Sequence, residues 1–345
     1  MKEILFIGDC GNFKETSNGV YAKNIQLLKR LNELFTSIKY VNTNNWKKNP
    51  LVLFHVVQNI WRYRNCNIII SLNTMSAYKL LKVVHLLFPS VRIIYFVIGG
   101  ILPDFISHKE KGQRVCYSNV KWFLVESKKM KENMESLGYN NVLYVPNFKK
   151  ITYIPSKMGK IIKPFKFVFL SRIIPEKGCD LIIEATKQLN REIGKEHFIV
   201  HFFGKIADNY RAQFLNAIDG VANIEYKGFL NLAEAPNYDV LATYSGMLFP
   251  TYWKGEGFPG ILIDAMIAGT PVIASDWGYN KEIIDNGSTG IIIKGKDEKA
   301  LANAMASFID NIPMVEEMAE HCKSKALDYD TDKVIDNKLF DTILK

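Results

Sequence analysis

Cysteine is scarce in this sequence of 345 residues: Cys10, Cys66, Cys116, Cys179 and Cys322 are scattered and never fall in CxxC spacing. That excludes a disulfide framework and a cysteine zinc site and leaves reduced thiols. The six histidines form no HExxH or comparable ligand pattern, so no metal site is expected. His197 and His201 stand in a strand-like stretch, where a core or cleft position is expected of His201. Glycine and proline, 22 and 12, are too few for a collagenous or low-complexity chain. Long apolar runs are missing as well. Residues 4–7 are too short for a signal-peptide core, and the stretch 83–102 is broken by Pro89 and Arg92, which makes a poor membrane span; a cytoplasmic location is expected. No aromatic RNA-binding pattern, zinc-finger spacing or heptad-linked basic helix is present, so nucleic acid is not an expected partner. Gly8-Asp-Cys-Gly11-Asn-Phe lacks GxGxxG spacing, which disfavours a dinucleotide oxidoreductase.

What is present is an ordinary globular composition, 48% hydrophobic and 23% charged, at a length that suggests two domains. The charge is lopsided. Residues 1–150 hold 22 Lys and Arg against 9 Asp and Glu, a net of +13, whereas residues 151–345 hold 22 against 26, a net of −4. The excess reads either as a solvated basic face or as a surface turned toward something anionic, and a peripheral contact with an acidic membrane ranks above nucleic acid. Its local candidate is the stretch 51–61, followed by Arg62 and Arg64, where apolar and aromatic residues sit beside cations as in an interfacial helix. A buried helix of a sheet fold has the same composition and is the favoured reading.

Short β-branched apolar runs alternate with helix-period segments. They fall at 4–7, 38–42, 68–72, 91–97, 122–125 and 142–145, then at 166–170, 198–203, 224–226, 247–249, 272–274 and 290–293. Helical pattern covers 179–191, 259–268, 298–310, 314–327 and 333–344. Apolar strands separated by helices predict parallel sheets covered on both faces, so the fold class is α/β with two doubly wound domains. Residues 151–164 lack periodicity and read as a linker between domains 1–150 and 165–327, with 328–345 as a closing segment. Such domains in tandem are expected to face a cleft at the carboxyl ends of their strands.

The densest chemistry lies in Thr251-Tyr-Trp-Lys-Gly-Glu256-Gly-Phe-Pro-Gly260-Ile-Leu-Ile-Asp264. A loop with glycine and proline opens into a helix there, so the backbone N–H groups near Gly260, Ile261 and Leu262 have no intrahelical acceptor at a positive helix end, a cradle for phosphate. Glu256 just before the helix and Asp264 one turn inside it are suited to accept from sugar hydroxyls. Phe169-Leu-Ser-Arg172-Ile-Ile-Pro-Glu-Lys177-Gly178 places two cations after the first strand of the second domain. Singly each reads as a surface charge; together with the helix end they can neutralise a diphosphate without a metal. Asp328-Tyr-Asp330-Thr-Asp332 has the DxD spacing of some metal sites but follows no strand, and reads as a helix boundary.

Joined to Ala268-Gly269-Thr270-Pro271-Val272, the spacings Arg172-x4-Lys177-Gly178 and Glu256-x7-Asp264 resemble the signature of the retaining family 4 glycosyltransferases of the GT-B fold. The resemblance covers the second domain and implies two Rossmann-like domains about a central cleft, with the closing segment returning to the first. It implies that Arg172 and Lys177 bind the diphosphate and stabilise it as leaving group. Glu256 would hold the donor sugar's hydroxyls, the backbone at Ile261 and Leu262 would meet phosphate, and Asp264 would take the ribose hydroxyls. The family usually has Glu at this last position, and Asp is one methylene shorter. In the first domain Asn18-Gly19-Val20 is similar to the family's glycine loop, which makes Gly19 a donor-side candidate. Where many members carry a histidine, this chain has Phe96-Val-Ile-Gly99-Gly100-Ile-Leu-Pro103-Asp104; the amides of Gly99 and Gly100 and the carboxylate of Asp104 are acceptor-side candidates. Asn147 resembles an interdomain turn with a structural role.

The implied activity is metal-independent, retaining transfer from a nucleotide diphosphate sugar, UDP favoured over GDP, to a saccharide or polyprenyl-diphosphate-linked acceptor. Bacterial capsule or other surface-polysaccharide assembly is the setting, with no cofactor beyond the donor and a peripheral place on the inner face of the plasma membrane. The alternatives are another GT-B enzyme such as a sugar-nucleotide epimerase, or a catalytically silent sugar-nucleotide-binding subunit.

Overall fold

A computed structural model describes residues 3–12, 19–46, 48–155, 161–234 and 236–345. Asn18 and residues 156–160 of the expected linker lie outside these. The chain forms two units, Met1–Lys150 with Tyr329–Lys345, and Ile151–Asp328.

In the first unit β1 (Ile4–Gly8), β2 (Ile38–Asn42), β3 (Asn67–Asn73), β4 (Ile93–Ile98), β5 (Val120–Val125) and β6 (Val142–Tyr144) lie parallel in the order β2-β1-β3-β4-β5-β6. β1 and β4 are buried along their whole length, which is why they read as continuous apolar runs. α1 (Gly19–Leu34) connects β1 to β2, while α2 (Pro50–Arg62) and α3 (Thr74–Leu87) carry the chain in the opposite direction. Right-handed crossovers therefore set α1 on one face of the sheet and α2 with α3 on the other. α1 buries Leu27, Leu28 and Leu31 in a core shared with Phe148, Ile335, Phe340 and Ile343.

That terminal segment, expected as one helix, is two, Thr331–Val334 and Asn337–Ile343. Asp336 starts the second by accepting from the Leu339 amide at 2.8 Å. Asp330 likewise caps the first, and Asp332 pairs with Lys150 at 2.7 Å and Arg30 at 3.0 Å, so the DxD-spaced acids are a helix boundary. Arg30 also donates from Nε to the Ile335 carbonyl at 2.9 Å.

α2 forms, but the favoured reading of it as a buried helix is wrong. Val56, Asn59 and Ile60 face inward, whereas Leu51, Phe54 and Trp61 are 73%, 67% and 56% exposed. One apolar face suffices to cover the sheet, and this helix has two. Among the described residues no helix is long and apolar enough to cross a membrane.

In the second unit β7 (Phe165–Leu170), β8 (Phe198–Phe203), β9 (Ile224–Tyr226), β10 (Gly246–Phe249), β11 (Val272–Ser275) and β12 (Gly290–Ile293) lie parallel in the order β12-β11-β10-β7-β8-β9. Its core is built on phenylalanines, Phe165, Phe167 and Phe169 of β7 packing with Phe198 and Phe202 of β8. The winding reverses between β7 and β10, so the loops leaving these two strands part and leave a crevice at their carboxyl ends.

Candidate active site

Both motifs of the second unit fall at that reversal. The loop after β7 makes a single turn, Pro175–Lys177, and Gly178 with φ +81° opens the helix Cys179–Glu192. A Cβ on Gly178 would come within 2.8 Å of Pro250 Cγ, so only glycine lets this loop seat against the end of β10. That seating sets Lys177 Nζ 2.5 Å from Glu256 Oε2, with the two side chains only 8% and 10% exposed. Thr251 donates from Oγ1 to the same oxygen at 2.9 Å. The Tyr252 amide donates to the Glu176 carbonyl at 2.8 Å and ties the two loops together. A cation and a hydroxyl thus fix the orientation of the Glu256 carboxylate.

Arg172 is unlike Lys177. It is exposed, and its guanidinium lies 5.3 Å from the ring centre of Trp253. Trp253 is itself held, its carbonyl accepting from Trp277 Nε1 at 2.8 Å. One cation is already compensated inside the protein; the other presents its charge to solvent on an aromatic platform.

The helix Gly260–Ile267 begins after Pro259. The amides of Gly260 and Ile261 meet no acceptor among the described residues, but that of Leu262 donates to the Pro259 carbonyl at 3.1 Å. The expected trio of available amides is therefore a pair, because the first turn tightens and uses one of them. Asp264 is 4% exposed, and its Oδ1 accepts from the Tyr238 hydroxyl at 2.6 Å. Burial, then the Asp264 charge, push the Tyr238 phenol well above its ordinary pKa, so it stays a donor.

In the first unit the candidates are dispersed. Gly19 is exposed at the start of α1, and a Cβ there would meet nothing within 4 Å, so the fold makes no demand for glycine at this position. Gly99, with φ +90°, does not offer its amide outward: that N–H donates to Glu126 Oε2 at 3.2 Å. This corrects the expectation for Gly99, and the reason is a buried ion pair, Lys23 Nζ of α1 lying 2.5 Å from Glu126 Oε1. Lys23 also reaches the Val97 carbonyl at 3.5 Å. Gly100 follows, half-buried, and Asp104 stands exposed in the first turn of Leu102–Ser107, 3.6 Å from His108 Nδ1. Asn147, in the loop after β6, accepts from the Phe148 amide at 2.9 Å, a contact within this unit. His201 of β8 is half-buried with Nδ1 2.8 Å from the Tyr244 hydroxyl, and no group of three or more metal-ligating side chains occurs among the described residues.

The structure brings Lys177 and Glu256 together and sets Arg172 and the Gly260 amides on the neighbouring loops. Trp253, Thr251 and Tyr238 are additions that sequence reasoning passed over. The first two stood inside the motif; Tyr238 lies outside it and had no flag in the sequence.

The family model for glycosyl transferases group 1 matches residues 150–326, more than half of the chain. The chain belongs to the group 1 glycosyl transferases. A phosphatidyl-myo-inositol mannosyltransferase of Mycobacterium leprae is 30% identical over 197 residues, 52% of this chain and 46% of that protein. A GDP-mannose-dependent alpha-(1-6)-phosphatidylinositol monomannoside mannosyltransferase of Mycobacterium tuberculosis is 27% identical over 146 residues, 41% of this chain and 37% of that one. The matches thus span less than half the length of these curated relatives. Among solved structures, Anabaena Alr3699/HepE in complex with UDP superposes with a TM-score of 0.72 at 16% identity, covering 99% of both chains. This group 1 transferase therefore has the GT-B fold, two Rossmann-like units each with a parallel six-stranded sheet.

Proposed function

We propose that this group 1 transferase moves a sugar from a nucleotide diphosphate donor, UDP first, to a hydroxyl of a saccharide or polyprenyl-diphosphate-linked acceptor in bacterial surface-polysaccharide assembly. The observation that carries the reading is the grouping at the β7/β10 reversal of the oriented Lys177–Glu256 pair, the outward Arg172 and the paired amides of Gly260 and Ile261. In this reading the diphosphate lies on those amides with Arg172 against it, and Lys177 is shared between phosphate and Glu256. Glu256 accepts from the donor sugar's hydroxyls, and Asp264, pinned by Tyr238, is assigned the ribose. The acceptor belongs to the first unit, with Gly100 and Asp104 as its candidates.

As the bond from the anomeric carbon to phosphate breaks, the bond to the acceptor oxygen forms on the same face, and the acceptor's proton passes to the departing phosphate. Configuration is retained. Two cations and a helix end carry the charge that a divalent ion would otherwise neutralise, so chelation leaves transfer unchanged. UDP ranks first because a solved structure of this fold holds it, and GDP next because a relative is named for GDP-mannose.

Thermal stabilisation by UDP, GDP, ADP and dTDP sugars, followed by nucleotide release with and without EDTA, tests the reading. One nucleotide should raise the melting temperature and be released in the presence of chelator. No stabilisation by any of them sinks the donor site; an altered free sugar nucleotide as product points to an epimerase, and binding with neither transfer nor slow hydrolysis to a silent subunit. Activity lost to EDTA and restored by magnesium removes the metal-independent scheme.

A further inference from the structure

The face of the first unit that carries α2 and α3 differs from the rest of the molecule in two independent ways. From Leu34 to Pro103 the sequence has no Asp or Glu and eight Lys or Arg, at positions 39, 47, 48, 62, 64, 79, 82 and 92. Within the same stretch lie Leu51, Phe54, Trp61, Met75, Leu86 and Leu87, half of the large apolar side chains exposed among the described residues. On α2 the exposed positions are 50, 51, 54, 55, 58, 61 and 62, of which 51 to 62 form a continuous outward stripe at helical spacing, opposite the inward Val56, Asn59 and Ile60. The stripe ends in cations: Arg62 is exposed, and Arg64 lies 5.3 Å from the Trp61 ring centre.

Packing accounts for the inward face of α2 and not for the outward one. An apolar and aromatic stripe bordered by arginine is the composition of a helix that lies in the plane of a bilayer, rings in the headgroup zone and cations on lipid phosphate. We infer that the outward face of α2 docks the transferase on an anionic phospholipid bilayer, with Leu51, Phe54 and Trp61 inserted and Arg62 and Arg64 at the phosphates. A second copy of the chain is the poorer occupant, because the outward stripe of α2 carries cations and no acid, so a self-complementary contact through it would set arginine against arginine. The inference deepens the proposed function, whose acceptors include a lipid-linked one, but it is measured without nucleotide so that the two can fail separately.

The test is flotation of the full chain with vesicles of phosphatidylcholine alone and of phosphatidylcholine mixed with phosphatidylglycerol, across a salt series. The wild type should float with the anionic vesicles and be released as salt rises. Leu51→Ser/Phe54→Ser/Trp61→Ser should weaken binding by about tenfold or more, and Arg62→Gln/Arg64→Gln should flatten the salt dependence. These positions are exposed, so unchanged thermal unfolding serves as the folding control. Wild-type protein that stays unbound at low salt overturns the membrane contact altogether. Binding that survives the triple substitution overturns the role of α2. A concentration-dependent dimer that the same substitution abolishes overturns the choice of partner and makes the face an interface between copies. None of these outcomes depends on whether the second unit binds a nucleotide, which is read separately by thermal shift.

Discussion

Arg172 and Lys177 carry the same charge within one loop, yet their surroundings give them different work. Lys177 lies in a buried ion pair, whereas Arg172 rests on Trp253 at the surface. If Arg172 stabilises a departing diphosphate, Arg172→Ala should cut turnover by orders of magnitude in a protein that unfolds normally. Trp253→Ala should weaken UDP binding less than Arg172→Ala does, and its effect should vanish in the Arg172→Ala background; additive losses in that double-mutant cycle would mean the two side chains act independently. Both cations and Glu256 were legible in the sequence, because each stands in a local loop motif, the cations after β7 and Glu256 after β10. Lys23 and Glu126 were not: they lie 103 positions apart, and nothing about a lysine in an amphipathic helix announces a buried partner. Lys23→Met leaves the Glu126 carboxylate with little beyond the Gly99 amide and should cost about 3–5 kcal/mol in a denaturant titration, while adding Glu126→Met to it should return much of that loss.

Among the elements, the inner strands were the most readable because β1, β4, β10 and β11 are buried along their whole length and so consist of little but apolar residues. Helix ends were less so. The break before Asn337 is made by one side chain, that of Asp336, in a stretch whose hydrophobic period continues across it. The Leu262 amide was misread because a loop motif does not say how tightly the first turn will wind. α2 was misread for a different reason: composition shows that a helix is apolar, not how many of its faces the sheet has room to cover. Gly178 joins these scales, a single residue on which the seating of one loop against another strand depends. Gly178→Ala, forced into a positive φ and against Pro250, should lower stability by about 1–3 kcal/mol and raise the concentration of donor nucleotide needed for half-saturation. An unchanged unfolding midpoint would show that the loop yields without cost.

For the whole molecule, the division of charge between halves turned out to be sharper than the halves themselves, since the acid-free stretch belongs to one unit and largely to one face of its sheet. The other face is closed by residues from the far end of the chain. Ile335, Phe340 and Ile343 fill the core over α1, and the Thr331 amide donates to the Lys149 carbonyl at 2.9 Å. A chain shortened to Asp328 should therefore lose the cooperative unfolding of the first unit while the second still melts and still responds to nucleotide; two intact transitions would contradict this. The same arrangement orders events on the ribosome. The half made first must wait, with the Leu27 and Leu31 side of α1 open to water or to a chaperone, until the half made second has emerged and the residues beyond it arrive to close the wound.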